Sequence, residues 1–413
     1  MKKNILILGL TAFAAVLTSC SNKDDNEPAN KENEGGNNTE TTMPEGTSDP
    51  RVVINETDAD YNDARYKDNW VKYAEAVSSH LKNDAETLYK AWNEGLDGEE
   101  AFKTTFKQAK GAYNSYNACI EQILDGCIDI ANEVGESKIG DPRGKWENKL
   151  YTEAVYAVES WYSYHSIQDY ANNIRSIRNA FNCTYGGNQG QHSLAAYLAK
   201  GTQAGLANNV NSSINNAIAA IEGMAAPFRS HIGNPTVLTA MDACDKLKSA
   251  LRTLKAQVEN FEDEEELKNI VADYVDVVVL PTYQDLATAN ATLHTAVQQL
   301  RTNPSNATFE AAAQAWMAAR QPWESSEAFL FGPVDKLGLD PNMDSWPLDQ
   351  DAIKNVLSSG DFSGMEWAGE YEGEDEDGNM SQRAEEIAEA QSIRGFHTLE
   401  FLLFKNGQPR TTE

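Results

Sequence analysis

The chain has 413 residues, 41 % apolar and 23 % charged, which is enough for two or three domains around a sizeable core. Its net charge of −29 excludes nucleic acid as a partner, because the phosphates would be repelled. An acidic surface enriches cations locally without by itself making a metal site.

Residues 1–20 read as a lipoprotein signal peptide: Lys2 and Lys3, the apolar run ILILGLTAFAAVL, then LTSC ending at Cys20. The ending resembles a lipobox, so Cys20 is the expected lipidation site and the expected link to a membrane. The run is short for a spanning anchor. Residues 21–55 hold almost no large apolar side chain and read as a disordered tether. The stretch SNKDD after Cys20 resembles an export signal for the outer face of an outer membrane, so the expected location is an outer-membrane lipoprotein, on the periplasmic side or at the cell surface. The remaining cysteines, Cys119, Cys127, Cys183 and Cys244, form no C-x-x-C pair. Cys119 and Cys127 are separated by about 12 Å of helical rise, too far to bridge, and buried free thiols are expected.

From about residue 60 onward, helical periodicity dominates and strand alternation is scarce. A first helix places Trp70, Tyr73, Val77, Leu81 and Leu88 on one stripe, and a second carries Phe102, Phe106, Tyr113, Ile120 and Leu124. A third is predicted from Lys145 to Phe181, ending at the glycine cluster TYGGNQG. A fourth is predicted from Ser193 to Met224 and a fifth from Thr236 to Phe261. The sixth begins after EDEEE, with Pro281 expected to kink or split it. A seventh covers Thr308 to Phe329, a short one Asp351 to Leu357, and the last Ala384 to Phe404. Long helices with short breaks imply an all-α protein of helical bundles, with a seam near residues 262–268. The expected division is a first bundle domain at 56–264 and a second at 265–413.

The last helix carries GFHTLEFLLF, residues 395–404. Residues three apart share a helix face, so His397 and Glu400 could meet one cation. Imidazole with carboxylate suits zinc, iron or copper, but two ligands are too few and other helices would have to add more. The alternative is a histidine held by a carboxylate inside a packed helix. H-E-x-x-H is absent, H-x-x-E-H fails because residue 401 is Phe, and the Glu-x-x-His of di-iron bundles is reversed. His80, His165, His192, His231 and His294 show no ligand spacing and read as packing or surface residues.

GFHTLEFLLF resembles the G-x-H-x-x-E signature of the imelysin family, envelope proteins linked to iron uptake and formerly listed as metallopeptidases. The resemblance extends to AWMAARQPWESSEAFLFGPV with Trp316, Arg320, Ser326, Glu327, Phe329 and Gly332, and to DSWPLD with Trp346, Pro347, Leu348 and Asp349. It also covers Glu133, Ser137 and Lys138 of ANEVGESKI, the segment YANNIRSIRNAFNCTYGG, and APF at 226–228. The blocks that usually come second stand first here, which implies a circular permutation. Two departures occur: Arg175 and its neighbours replace a Thr-His, and Leu330 replaces a basic residue.

The resemblance implies two similar four-helix-bundle domains with a site in the cleft between them. It assigns His397 as metal or ligand contact, Glu400 as its carboxylate partner and Glu327 as a second carboxylate. Arg320 and Trp346 line the pocket, and Asn173 faces it from the other domain. Taken without the resemblance, Glu327 reads as a helix-end carboxylate and Trp346 as a core aromatic. The implied ligand is iron or another divalent metal, bare or chelated, and the implied partner a component of iron transport. A metallopeptidase needs a third ligand and a general base that the motif tests do not supply. A scaffold with a structural polar cluster is the third reading.

Overall fold

The computed structural model describes residues 59–200, 203–375 and 378–413. The predicted signal peptide, Cys20 and the tether lie outside the described residues. Eight helices build the frame: α1 (Lys67–Asn93), α2 (Tyr116–Asn132), α3 (Ser166–Asn182), α4 (Ala204–Glu222), α5 (Pro235–Lys255), α6 (Leu280–Thr302), α7 (Asn306–Glu324) and α8 (Gly395–Leu403). Their starts follow local chemistry. Ser115 accepts from the Ala118 amide at 3.1 Å to cap α2, and Asn234 caps α5 with Pro235 in its first turn. Ser305 and Thr308 form a reciprocal capping box on α7. Strand pairing among the described residues is confined to two hairpins of two-residue strands, so the fold is all-α.

The helices close into two four-membered rings. In one, α2 packs on α5, α5 on α4, α4 on α3 and α3 back on α2. In the other, α1 packs on α6, α6 on α7, α7 on α8 and α8 back on α1. A division at residue 264 would place α1 in the first ring, but it packs in the second. Apolar α1 positions such as Trp70, Val77, Leu81 and Leu88 are fully buried, and their periodicity alone does not say against which partner. The first described residues lie against the C-terminal ones as a result. Asn62 Nδ2 donates to the Thr411 carbonyl at 3.0 Å, and Lys405 pairs with Asp60 at 2.8 Å.

The rings meet where α3 crosses α7 and α2 runs past the short 3₁₀ turn Glu327–Phe329. A Cβ on Gly126 of α2 would stand 2.2 Å from the Ala328 carbonyl oxygen, so only glycine permits this approach. All four described cysteines are buried free thiols, as expected.

Several predicted helices are broken, and the breaks build the site. The span Lys145 to Phe181 holds the end of the helix Gly140–Glu147, then Tyr151–Tyr156 and α3, rather than one helix. Its aromatic spacing runs on through the interruption, which hides it from a periodicity count. Residues 157–165 form an irregular segment with Ser160 and Tyr164 in the left-handed region, φ 52° and 62°. Such strain is concentrated at functional sites. The predicted last helix is likewise split, into Gln382–Ser392 and α8, at Gly395 with φ +90°. Before α6, a wide π-turn at Tyr274–Val279 absorbs the donor that Pro281 lacks.

Candidate functional site

Four segments converge in a buried crevice between the rings. The first is a π-turn, Glu133–Lys138, continuing α2, a geometry frequent at functional sites. The second is the irregular segment 157–165 with Glu159, Ser160 and Ser163. The third is α7 with Arg320 and Glu324, followed by Glu327, and the fourth is α8 with His397 and Glu400. Asp344, the last residue of the short helix Leu339–Asp344, enters beside the start of α8. Gly395 makes that contact feasible, because a Cβ there would lie 2.6 Å from the Met343 carbonyl oxygen.

His397 is fully buried, with both ring nitrogens engaged. Nδ1 lies 3.0 Å from Glu400 Oε2, and the other Glu400 oxygen accepts from the Ser163 amide at 2.8 Å and the Ser163 hydroxyl at 2.7 Å. Glu400 is thus the anchor that orients the imidazole. Nε2 faces Asp344 Oδ1 at 3.1 Å and Glu159 Oε1 at 3.2 Å. His397, Asp344 and Glu159 each offer a ligand atom within 4.8 Å of the others. The sequence reading paired His397 and Glu400 as joint contacts with one cation. The geometry gives Glu400 to Nδ1 and supplies Nε2 with two carboxylates that this reading did not name.

Arg320, also fully buried, links the acids. It pairs with Glu159 at 2.8 Å, Glu324 at 2.7 Å and Asp169 at 3.4 Å, and with Asp344. Its Nη2 also lies 3.3 Å from His397 Nε2. Lys138 reaches Glu159 at 3.3 Å, Glu327 at 3.5 Å and Glu133 at 3.7 Å. Asn173, on α3, donates to Glu324 Oε2 at 2.5 Å and does not touch the His397 group. Trp346 packs against the His397 ring at 4.9 Å between centroids. Arg175 pairs with Glu222 and Asn172, partly exposed and apart from these contacts.

Burial penalises every charge here, and the partners decide which charges survive. The Glu159 carboxyl is pushed up by burial, but Lys138, His397 and Arg320 outweigh this and hold it at about 2. Burial likewise opposes ionisation of Asp344, and Arg320 with His397 hold it well below the usual carboxylate range. For His397, burial and Arg320 oppose the charge, while Asp344 and Glu159 favour it and raise the imidazole well above its ordinary value. Burial drives Glu324 and Glu327 well above the usual range despite Arg320 and Lys138.

The group holds three basic side chains, Lys138, Arg320 and His397, against seven carboxyls: Glu133, Glu159, Asp169, Glu324, Glu327, Asp344 and Glu400. Asn173 Oδ1 and Asp169 Oδ1 are buried oxygens without a hydrogen-bond donor. Three converging ligand atoms, one of them on a histidine whose far nitrogen is fixed by a carboxylate, fit a bound cation. A second group, Glu324, Glu327 and Asp344, also brings its oxygens within 4.8 Å of one another.

Comparison with known proteins places the chain. The imelysin family model matches residues 48–257 and 279–413. The crystal structure of an imelysin peptidase from Bacteroides ovatus is 46 % identical with a TM-score of 0.80, covering 86 % of this chain and 99 % of that one. Iron-regulated protein A of Synechococcus elongatus is 33 % identical over 143 residues, 35 % of this chain. The match spans 33 % of that relative's length.

Proposed function

The chain belongs to the imelysin family, and on that premise we propose that it is an envelope protein of iron handling that holds a metal ion in the crevice between its two bundles. His397 Nε2, Asp344 and Glu159 would hold the ion, and Glu400, fixed by Ser163, keeps the imidazole in its ligating orientation. A carboxylate-rich set with one imidazole suits iron or another divalent ion. The observation that carries this reading is the convergence of those three ligand atoms, within 4.8 Å, from three separate segments. The iron-related name of the Synechococcus protein supports the choice of metal. The bound ion would supply charge to a crevice in which acids outnumber bases.

The leader that ends at Cys20 supports attachment to the outer membrane through an N-terminal lipid, and a component of iron transport is the natural recipient of the ion. No helix among the described residues is long and apolar enough to cross a membrane. The adjacency of Asn62 and Thr411 supports a circular permutation, because two segments already side by side can be joined at little cost.

A second reading is a purely structural charge network, favoured by Arg320, whose guanidinium already pairs with four carboxylates. Anaerobic calorimetric titration of the purified chain with Fe²⁺ separates the two. The ion-holding reading expects one ion per chain, with binding lost in His397→Ala and Asp344→Asn variants that remain folded. A wild-type chain that takes up no ion, with both variants merely less stable, supports the structural network instead.

A further inference from the structure

Between Lys200 and Glu222 the chain carries no Asp, Glu, Lys or Arg, in a protein where these make up 23 % of the residues and leave a net charge of −29. The helix of this span, α4, buries Val210, Ile214, Ala217 and Ile221 in the ring it forms with α2, α3 and α5. Its other side leaves Asn208, Asn209, Ser212, Asn215 and Asn216 exposed. An exposed helix face is best served by Glu, Lys or Arg, which favour helix and keep a chain in solution. Asparagine and serine are poorer helix formers, because their side chains compete for the backbone. This face therefore gives up both helix propensity and charge.

The face also repeats about a centre. Outward from Ser212, Asn209 matches Asn215 three residues away, and Asn208 matches Asn216 four away. Gly205 and Ala219, both exposed and both small, stand seven away on either side. Laid antiparallel on a copy of itself about a two-fold axis at Ser212, the face brings each Asn209 to an Asn215 and each Asn208 to an Asn216. A two-fold contact requires such self-complementarity. Carboxamides suit it, since each carries donors and an acceptor and can pair with its like. The small residues at both ends let the helices approach closely.

Charge selects the occupant. Two chains at −29 repel one another over most of their surface, and a face without charge is where they meet at least electrostatic cost. The charges that flank the span are already paired, Lys200 with Glu266 at 3.1 Å and Glu222 with Arg175. A strongly basic or acidic partner would gain nothing here.

We propose that α4 is a self-association face, on which a second copy of this chain packs antiparallel about Ser212. The helix is about 28 Å long. A contact of one helix pair lies at the small end of specific interfaces, so the dimer is weak and reversible. The crevice around His397 is built from other segments, and each copy keeps its own.

Sedimentation equilibrium of the full chain tests this. A monomer–dimer equilibrium is expected, with a dissociation constant on the order of 10–100 μM at about 0.15 M salt. It should tighten several-fold at about 0.5 M, because salt screens the repulsion between the copies while the contact holds no ion pair to lose. Ser212→Lys sets two ammonium groups face to face on the axis and is expected to weaken the dimer by at least about tenfold, with the melting temperature unchanged. Thr292→Lys, the same charge change on the exposed side of α6, should leave the dimer as it is. Oxidation of a Ser212→Cys chain should join residue 212 to residue 212, read by mass spectrometry of the linked peptides. Asn209→Cys, which faces Asn215, should not join to itself. The proposal is overturned by a wild-type chain that stays monomeric well above that concentration range, by Ser212→Lys dimerising like wild type, or by a dimer that weakens as salt rises. A chain that stays monomeric but is held through this face by neutral phosphatidylcholine vesicles gives the face to a lipid surface and equally overturns it.

Discussion

Around Trp92, at the C-terminal end of α1, Phe102, Phe331, Tyr283 and Phe106 pack with ring centroids 4.7, 5.8, 6.0 and 6.3 Å from the indole. Arg320 is buried to the same extent, yet four carboxylates and an imidazole surround it. In the aromatic cluster, removing water from apolar area stabilises the fold directly. In the crevice, removing water costs free energy at every charge, and each ion is tolerated only while its partners remain. A structural scaffold gains little from such an arrangement. A site that must hold a cation gains acids already fixed in place.

Substitutions should expose that contrast. Arg320→Ala and Trp92→Ala are each expected to cost about 3–5 kcal/mol in urea unfolding at pH 7, the first by leaving buried acids unpaired and the second by opening a cavity. Their pH dependence should differ. Asp344 and Glu159 have lowered values in the fold, so the stability they contribute is present above about pH 4 and is lost as the pH falls toward 2. The Arg320→Ala deficit should therefore shrink on acidification, while the Trp92→Ala deficit should not. Parallel pH curves for the two variants would erase the distinction.

A smaller effect is expected at Ser163. Its hydroxyl is one of two donors to Glu400 Oε1, and Ser163→Ala should cost about 1.5 kcal/mol with weaker ion binding, read by the same titration. Smaller again is Asp340→Asn. Burial first, then Asp344 and Glu133, raise the Asp340 carboxyl to about 8. The folded chain therefore keeps a proton that the unfolded chain has lost above about pH 4, and stability falls as the pH climbs to 8. Asp340→Asn should add on the order of 1 kcal/mol at pH 8, allowing for solvent screening of this half-buried group. The gain should vanish near pH 4. Last, Leu238→Ser on exposed α5 surface should change stability by less than about 0.5 kcal/mol.

The sequence carried the helices and half of the crevice. Periodicity located α1, α5 and α7 to within a few residues, and GFHTLEFLLF pointed to His397 because an imidazole within an apolar run must find partners. Arg320, Glu327, Trp346 and Asn173 were picked out by the family resemblance, and all lie in or beside the crevice. Glu159 and Asp344 were missed for a physical reason. Glu159 sits on irregular backbone between helices and Asp344 ends the short helix Leu339–Asp344, so no period marks the inward face of either, and Glu159 is 238 residues from His397 along the chain. A weak signal was available for Asp344, which lies two residues before Trp346 in the block DSWPLD, and none marked Glu159. Lys138 belonged to the resemblance without a role, because two of its three acidic partners come from other segments. The packing of α1 with the C-terminal helices was equally invisible, since an amphipathic stripe does not name its partner.

The central claim is that His397, Asp344 and Glu159 hold one metal ion. Anomalous diffraction at the iron edge, on crystals of the full chain grown anaerobically with Fe²⁺, tests it most directly. A single peak within bonding distance of His397 Nε2 and of oxygens from Asp344 and Glu159 is the predicted result. An empty crevice, with peaks only at acidic surface groups or none at all, would contradict it.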